Sequence, residues 1–208
     1  LYGQTELSPL ATLLPPHEQL SHAGSAGRAV LNVETRVVDD HDVTVPVGEV
    51  GEIVHRSPQA TLGYYRDPDK TAEAFRGGWF HSGDLGVMDA EGRVTVVDRK
   101  KDMIKSGGEN VASREVEECV YELEGVAEVA VFAVDHPRWV EAVAAVVVAK
   151  PGSVLRPEDV TAHCRQHLAG FKRPKYVVIA DALPKNPSGK ILKRQLRTEH
   201  ADLAAADG

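Results

Sequence analysis

Several short stretches of this sequence combine residue types that can do chemistry. Near the end, "LPKNPSGKILKRQLR" at residues 183–197 places Lys190 directly after Pro-Ser-Gly and ahead of an amphipathic run. A Gly-flanked lysine can present an ammonium to an anion, but the same spelling also ends a loop and opens a helix. At the start, Tyr2-Gly3-Gln4-Thr5-Glu6 sets a flat ring, a small residue, a hydroxyl and a carboxylate close together. Such a set can stack a base, bond a phosphate oxygen and hold Mg2+, or it can make a polar turn. In "GWFHSGDLG" (78–86), Asp84 follows Ser82-Gly83 at the start of a hairpin strand. A carboxylate held there can accept both hydroxyls of a ribose, or merely close a turn. Arg99 ends the same hairpin, where it can share the sugar or stay a solvated charge. "KSGGEN" (105–110) sets Gly107 and Gly108 ahead of Glu109, as a bare-backbone path for a narrow ligand or as a plain turn.

The elements that must hold these groups change character along the chain. Residues 33–38 and 47–57 are β-rich, separated by "DDHD" and Pro46, and 86–99 predicts a hairpin turning at "DAEG". After Arg99 the pattern becomes helical. Ser113 is the expected N-cap of a helix carrying Val116, Val120 and Leu123 on one face and stopping at Gly125. Apolar strands are expected at 126–134, 141–149 and 176–180, a second helix from Pro157 to near Gly170, and a last short helix from about Ile191. The charged "RKKD" at 99–102 marks the domain boundary.

Composition narrows the class. With 42% apolar residues and a net charge of −7, the chain is expected to be a soluble globular protein with no nucleic-acid surface. No apolar run reaches the roughly 18–20 residues of a membrane span. Cys119 and Cys164 form no disulfide framework and read as thiols of a cytoplasmic protein. His163 and His167 stand four apart on one helix beside Cys164, a spacing that can bind Zn2+. No third or fourth ligand has a suitable position in the sequence, so the pair reads as structural or exposed. Trp79-Phe80 reads as core packing rather than a base-stacking platform.

Taken in order and spacing, "YGQTE", "GWFHSGDLG", "DRKKDMIKSGGENV" and "PKNPSGKILKRQLR" resemble successive core motifs of the ANL superfamily of adenylating enzymes. Its members are acyl- and aryl-CoA synthetases, adenylation domains of peptide synthetases and beetle luciferases. The resemblance runs from residue 1 to about 197, and "WFHSGDLG" with "SGGENV" look most like fatty-acyl-CoA synthetases. It implies an α+β fold, with the β-rich, distorted-barrel end of a large adenylate-forming domain over 1–100 and a small mobile α/β domain over 101–208. The family's phosphate loop and most of its acid pocket would lie upstream of Leu1, so this stretch alone is not expected to complete the reaction.

By matching position, Tyr2 would lie against adenine beside Gly3, Thr5 would bond the α-phosphate, and Glu6 would hold Mg2+. Asp84 and Arg99 would take the ribose hydroxyls. Lys190 would bridge the acid's carboxylate and the α-phosphate, as a pre-placed cation in the transition state. Lys101 would be the hinge of the domain turn that brings Gly107, Gly108 and Glu109 to coenzyme A. The implied activity is an ATP-dependent, AMP-forming carboxylic acid–CoA ligase. Loading of a carrier protein and a catalytically retired binding domain are the alternatives. Where many relatives continue with an aromatic and Pro, this chain reads Val111-Ala112-Ser113, with Ser expected to keep the helix cap.

Overall fold

The computed structural model describes residues 1–207. Its contacts divide the chain into two compact units, Leu1–Lys101 and a second from Asp102 onward. In the first unit, β1 (Tyr2–Gly3), β2 (Leu10–Leu13) and β3 (Arg28–Ala29) make a small antiparallel sheet. β4 (Glu34–Val38), β5 (Gly51–Arg56), β6 (Phe80–Met88) and β7 (Val94–Arg99) make an antiparallel meander in chain order. One helix, α1 (Pro68–Ala74), interrupts it, opened by Pro68 and by the Asp67 carboxylate, which accepts from Lys70 N at 3.0 Å.

The expected hairpin over 86–99 is present, but its first strand already begins at Phe80, because β5 pairs with that extension from His55↔Phe80 to Gly51↔Gly86. Asp84 therefore lies inside β6, not at the start of a strand. Phe80 is buried against Leu7, Ala11 and Phe75, as core. Trp79 instead carries the guanidinium groups of Arg36 and Arg56 over its ring, 4.4 and 4.6 Å from the ring centre.

The second unit is a mixed sheet covered on both faces. β8 (Ile104–Ser106) and β9 (Glu109–Val111) form a hairpin, followed by α2 (Ser113–Tyr121), then by β10 (Val126–His136) and β11 (Val140–Ala149). α3 (Pro157–His167), β12 (Tyr176–Ala180) and α4 (Lys193–Glu199) complete it. β11 pairs antiparallel with β10 and β8 and parallel with β12. The two-residue period of a strand sorts its side chains. Val129, Val131, Val143, Ala145 and Val147 pack under α2 and α3, while Ala130, Phe132, Ala142, Ala144 and Val146 pack against α4. Burial on both faces is why these strands read as continuous apolar runs rather than alternating ones.

Helix ends depart from expectation. Ala112 occupies the N-cap of α2 without a side-chain bond, and Ser113 is the first helical residue, its hydroxyl accepting from Lys193 Nζ at 2.8 Å. α2 ends at Tyr121, so Leu123 packs from beyond the helix. α3 ends at His167, and α4 begins at Lys193, two residues after Ile191. Among the described residues, no helix is long and apolar enough to cross a membrane.

Candidate active site

Asp84 is aimed by a β-bulge. The β5–β6 register slips so that Ser82, Gly83 and Asp84 together stand opposite Ile53. Bulges of this kind redirect a side chain. Ser82 Oγ donates to the Ile53 carbonyl and accepts from Asp84 N, and Gly83 N donates to Glu52 Oε1 at 3.2 Å. β7 sets Arg99 directly across from Asp84, with Nε 3.2 Å from Oδ1. The start of the chain closes the other side: Tyr2 Oη and Gln4 Nε2 each donate to Asp84 Oδ2 at 2.8 Å. Burial, joined by the Asp84 charge, pushes the Tyr2 phenol well above its ordinary value, so it serves as a neutral donor.

Beside this group lies a cleft of about 960 Å³, lined among others by Gly3, Thr5, Glu6, Tyr64, Arg99 and Lys101. That size lies in the range of small-molecule sites. Thr5 is exposed there. Glu6 Oε1 accepts from Tyr64 Oη at 2.9 Å, and burial, then this hydrogen bond and the Glu6 charge, pushes the Tyr64 phenol up to about 12. Gly3 has a local task as well. A Cβ on it would stand 1.8 Å from the Pro9 carbonyl oxygen, so glycine is needed for β1 to lie against the chain leading into β2.

The bulge is anchored from below by Glu52, which is only 5% exposed. Its Oε2 lies 3.2 Å from Lys100 Nζ and 3.3 Å from both Arg76 Nη2 and His81 Nδ1. The His81 approach lacks hydrogen-bond alignment. Burial opposes ionisation of Glu52, but His81 and Lys100 outweigh it and hold the carboxyl below its usual range. One buried carboxylate thus grips both the bulge, through Gly83, and the end of β7, through Lys100.

The second unit carries its candidate groups on turns. Gly107 and Gly108 form the two-residue loop between paired Ser106 and Glu109, with φ of 61° and 89°. Two successive positive φ angles are the demand of a type I′ hairpin turn, which Gly-Gly meets. Gly107 N donates to the Trp139 carbonyl at 3.0 Å, and Glu109 is exposed at the base of the turn. Lys190 belongs to a loop folded around Asn186. The Asn186 Oδ1 accepts from Ser188 N, Ser188 Oγ and Lys190 N, and Asn186 N donates to the Lys190 carbonyl. The exposed lysine thus rides a braced loop three residues ahead of α4, not the first turn of a helix.

The passage between the units is held on both sides. Lys100 bonds Asp40 at 2.8 Å and Glu52 at 3.2 Å in the first unit. Asp102 accepts from Arg197 Nη2 at 2.8 Å in the second. Lys101 is the residue between these anchors.

Comparison with known proteins follows the same division. Residues 1–65 match the AMP-binding enzyme model, and 115–190 match that of the AMP-binding enzyme C-terminal domain. The chain belongs to the AMP-binding enzyme family. It is 46% identical over 198 residues to a long-chain-fatty-acid–CoA ligase of Escherichia coli, covering 95% of this chain and 35% of that protein. It is 44% identical over 196 residues to a feruloyl-CoA synthase of Amycolatopsis, covering 94% and 40%. The ATP-bound MatB of Rhodopseudomonas palustris superposes with a TM-score of 0.88 at 36% identity, over 98% of this chain and 40% of that one. The o-succinylbenzoate CoA synthetase of Bacillus subtilis with its acyl-adenylate superposes at 0.89 and 32%, over 94% and 40%. The chain thus spans about 35–40% of the length of these relatives.

Within this AMP-binding enzyme chain, the structure brings Tyr2, Asp84 and Arg99 into one bonded group and puts Gly3, Thr5 and Glu6 on the adjoining cleft. Gly107, Gly108, Glu109 and Lys190 occupy two loops of the second unit. Sequence reasoning gave no role to Gln4, Glu52, Tyr64 or Asn186. Glu52 left one signal, a carboxylate directly before the apolar pair Ile53-Val54 of a β-run. Gln4 and Tyr64 act through partners that only folding supplies, while Asn186 braces its own turn through Ser188 and Lys190.

Proposed function

We propose that the whole protein is an ATP-dependent, AMP-forming carboxylic acid–CoA ligase acting on fatty acids in the cytoplasm. The acid's carboxylate attacks the α-phosphorus of ATP, expelling pyrophosphate and leaving an acyl-adenylate. The thiol of coenzyme A then attacks the acyl carbonyl, expelling AMP. The observation that carries this reading is the register-matched Asp84–Arg99 pair beside a nucleotide-sized cleft that exposes Thr5. The similarity to a long-chain-fatty-acid–CoA ligase over 95% of the chain supports fatty acids as the substrate class.

In this reading, Asp84 and Arg99 take the ribose hydroxyls, Tyr2 and Gly3 border the base, and Thr5 bonds the α-phosphate. Glu6 lines the cleft, and Tyr64 is bonded to one of its oxygens, Oε1. It therefore fits Mg2+, which is commonly held by one or two carboxylates together with substrate phosphates. Such an ion would offset phosphate charge. Lys190 meets the developing charge between carboxylate and phosphate. The Gly107-Gly108 turn and Glu109 form the side on which the pantetheine arm passes. Lys101, set between the Lys100 and Asp102 anchors, is the hinge.

The test supplies the whole protein with ATP, Mg2+, coenzyme A and a panel of fatty and aryl acids, and follows products by mass spectrometry. Acyl-CoA with AMP from fatty acids is expected. Acyl-CoA from aryl acids alone overturns the substrate class, and acyl-AMP without thioester overturns coenzyme A as acceptor. Absence of product, together with no ATP-dependent thermal shift at millimolar ligand, overturns the enzyme reading.

A further inference from the structure

On the helix-covered face of the second unit, α2 and α3 bring together three side chains that the proposed ligase does not use. His163 and His167 stand one turn apart on α3, their rings 4.3 Å from centre to centre. Their spacing left them without further ligands in the sequence. Folding supplies a third: Cys119, near the C-terminal end of α2 and separated from them by more than forty residues, arrives beside both rings. One ligand atom from each of Cys119, His163 and His167 lies within 4.8 Å of the others. Cys164, the neighbour in sequence, is wholly buried in the same apolar cluster as Cys119, whose thiol it contacts, whereas both imidazoles lie outside that cluster.

The hydrogen bonds of the two imidazoles bear on what they can bind. One nitrogen of His163, Nε2, lies 2.9 Å from the Cys119 carbonyl oxygen, and Nδ1 of His167 lies 2.9 Å from the His163 carbonyl oxygen. A carbonyl oxygen can only accept, so each of these nitrogens carries the proton. In the neutral ring the opposite nitrogen then keeps its lone pair. Metal-binding histidines share this arrangement, in which a backbone carbonyl fixes the tautomer and orients the ring. Two imidazoles and a thiolate form a donor set for a borderline-soft divalent cation, with bonds of about 2.0–2.1 Å to nitrogen and about 2.3 Å to sulfur. Those bonds need ligand atoms roughly 3.3–3.8 Å apart, so closure asks for side-chain rotation that draws the three donors together. His167 is exposed, which gives a cation a route in and leaves a fourth position to water.

We propose that Cys119, His163 and His167 form a binding site for Zn2+ or a cation of the same chemical class, tying α2 to α3. Binding exchanges the Cys119 thiol proton for the metal and changes no oxidation state. The site draws on residues of the second unit alone and is independent of the ligase reading.

Co2+ is the probe, because its spectrum reports both geometry and sulfur ligation. Titration of the metal-free, reduced protein is expected to saturate at one Co2+ per chain. It should show the intense visible bands of a tetrahedral centre and a near-ultraviolet thiolate-to-cobalt charge-transfer band, both bleached by Zn2+. His167→Gln, at an exposed position that threatens no core, is expected to weaken binding at least about 100-fold, beyond the 10–100-fold typical of losing an outer partner. Cys119→Ser should abolish the charge-transfer band, whereas Cys164→Ser should keep it. A titration without saturable bands overturns the proposal, as does a spectrum that survives His167→Gln. Loss of the charge-transfer band in Cys164→Ser but not in Cys119→Ser overturns it too, by assigning the other thiol.

Discussion

In the first unit Asp84 sits in a buried polar network, whereas Lys190 and the Gly107-Gly108 turn of the second stand exposed on loops around an apolar sandwich. Glu52, His55, His81, Asp84 and Asp98 are all buried between thin β-sheets, and Asp84 is placed by strand register, a bulge and donors from β1 and Gln4. The second unit packs two apolar clusters on opposite faces of one sheet, and Lys190 and the Gly107-Gly108 turn project from its rim on short loops. The contrast bears on how each site tolerates change. A group inside a buried charge network cannot be altered without disturbing the fold, while a group on a braced surface loop can be removed with the scaffold left standing.

Lys190→Ala gives the sharpest test of that division and the largest expected effect. Adenylate formation should fall about 10²–10³-fold, the usual cost of one pre-placed electrostatic donor. Thioester formation from supplied acyl-adenylate should stay nearly intact, and stability should move by no more than about 0.5 kcal/mol. Comparing the two half-reactions and the melting temperature checks this; equal loss in both steps, or a large drop in melting temperature, breaks the contrast.

The buried side is probed by pH. His55 is fully buried, with Nδ1 3.0 Å from Thr35 Oγ1, and burial lowers its pKa from 6.5 to about 4. Between those values the unfolded chain binds a proton that the folded chain does not, so stability rises with pH. The His55 contribution is complete above pH 6.5 and is lost as pH falls toward 4, a share of about 3 kcal/mol. Denaturant unfolding across that window should show the slope in the parent and a flatter one in His55→Gln. Identical slopes would remove His55 as a source of acid sensitivity.

Gly108→Ala tests the turn side of the contrast and has the smallest effect. A Cβ there would meet nothing within 4 Å, so only the φ of 89° opposes it. The expected cost is about 1–2 kcal/mol of stability, read by thermal or denaturant unfolding. A neutral or stabilising result would contradict the type I′ turn.

Much of the architecture was legible from local pattern. The β12 strand, the 86–99 hairpin and the apolar β10 and β11 runs follow from periodicity and turn residues, which act over a few positions. Helix starts were less so. Ser113 has the right chemistry for a cap, but its hydroxyl is bonded by Lys193 from eighty residues away, and Ala112 takes the cap position. The strand before Gly86 was missed because its signal lies in the partner, β5, rather than in "WFHS" itself.

The sequence by itself determined the residue types in each motif and their order along the chain, since spacing and turn chemistry are local properties. From these came the family, the candidates for the site and the change of pattern near Arg99. Tertiary structure alone decided which side chains meet. It brought Tyr2 and Gln4 to Asp84, put Glu52 beneath the bulge and carried Cys119 to His163 and His167. Each of these contacts depends on strand register or helix packing between distant segments. A one-residue slip of β6 would turn Asp84 to the opposite face.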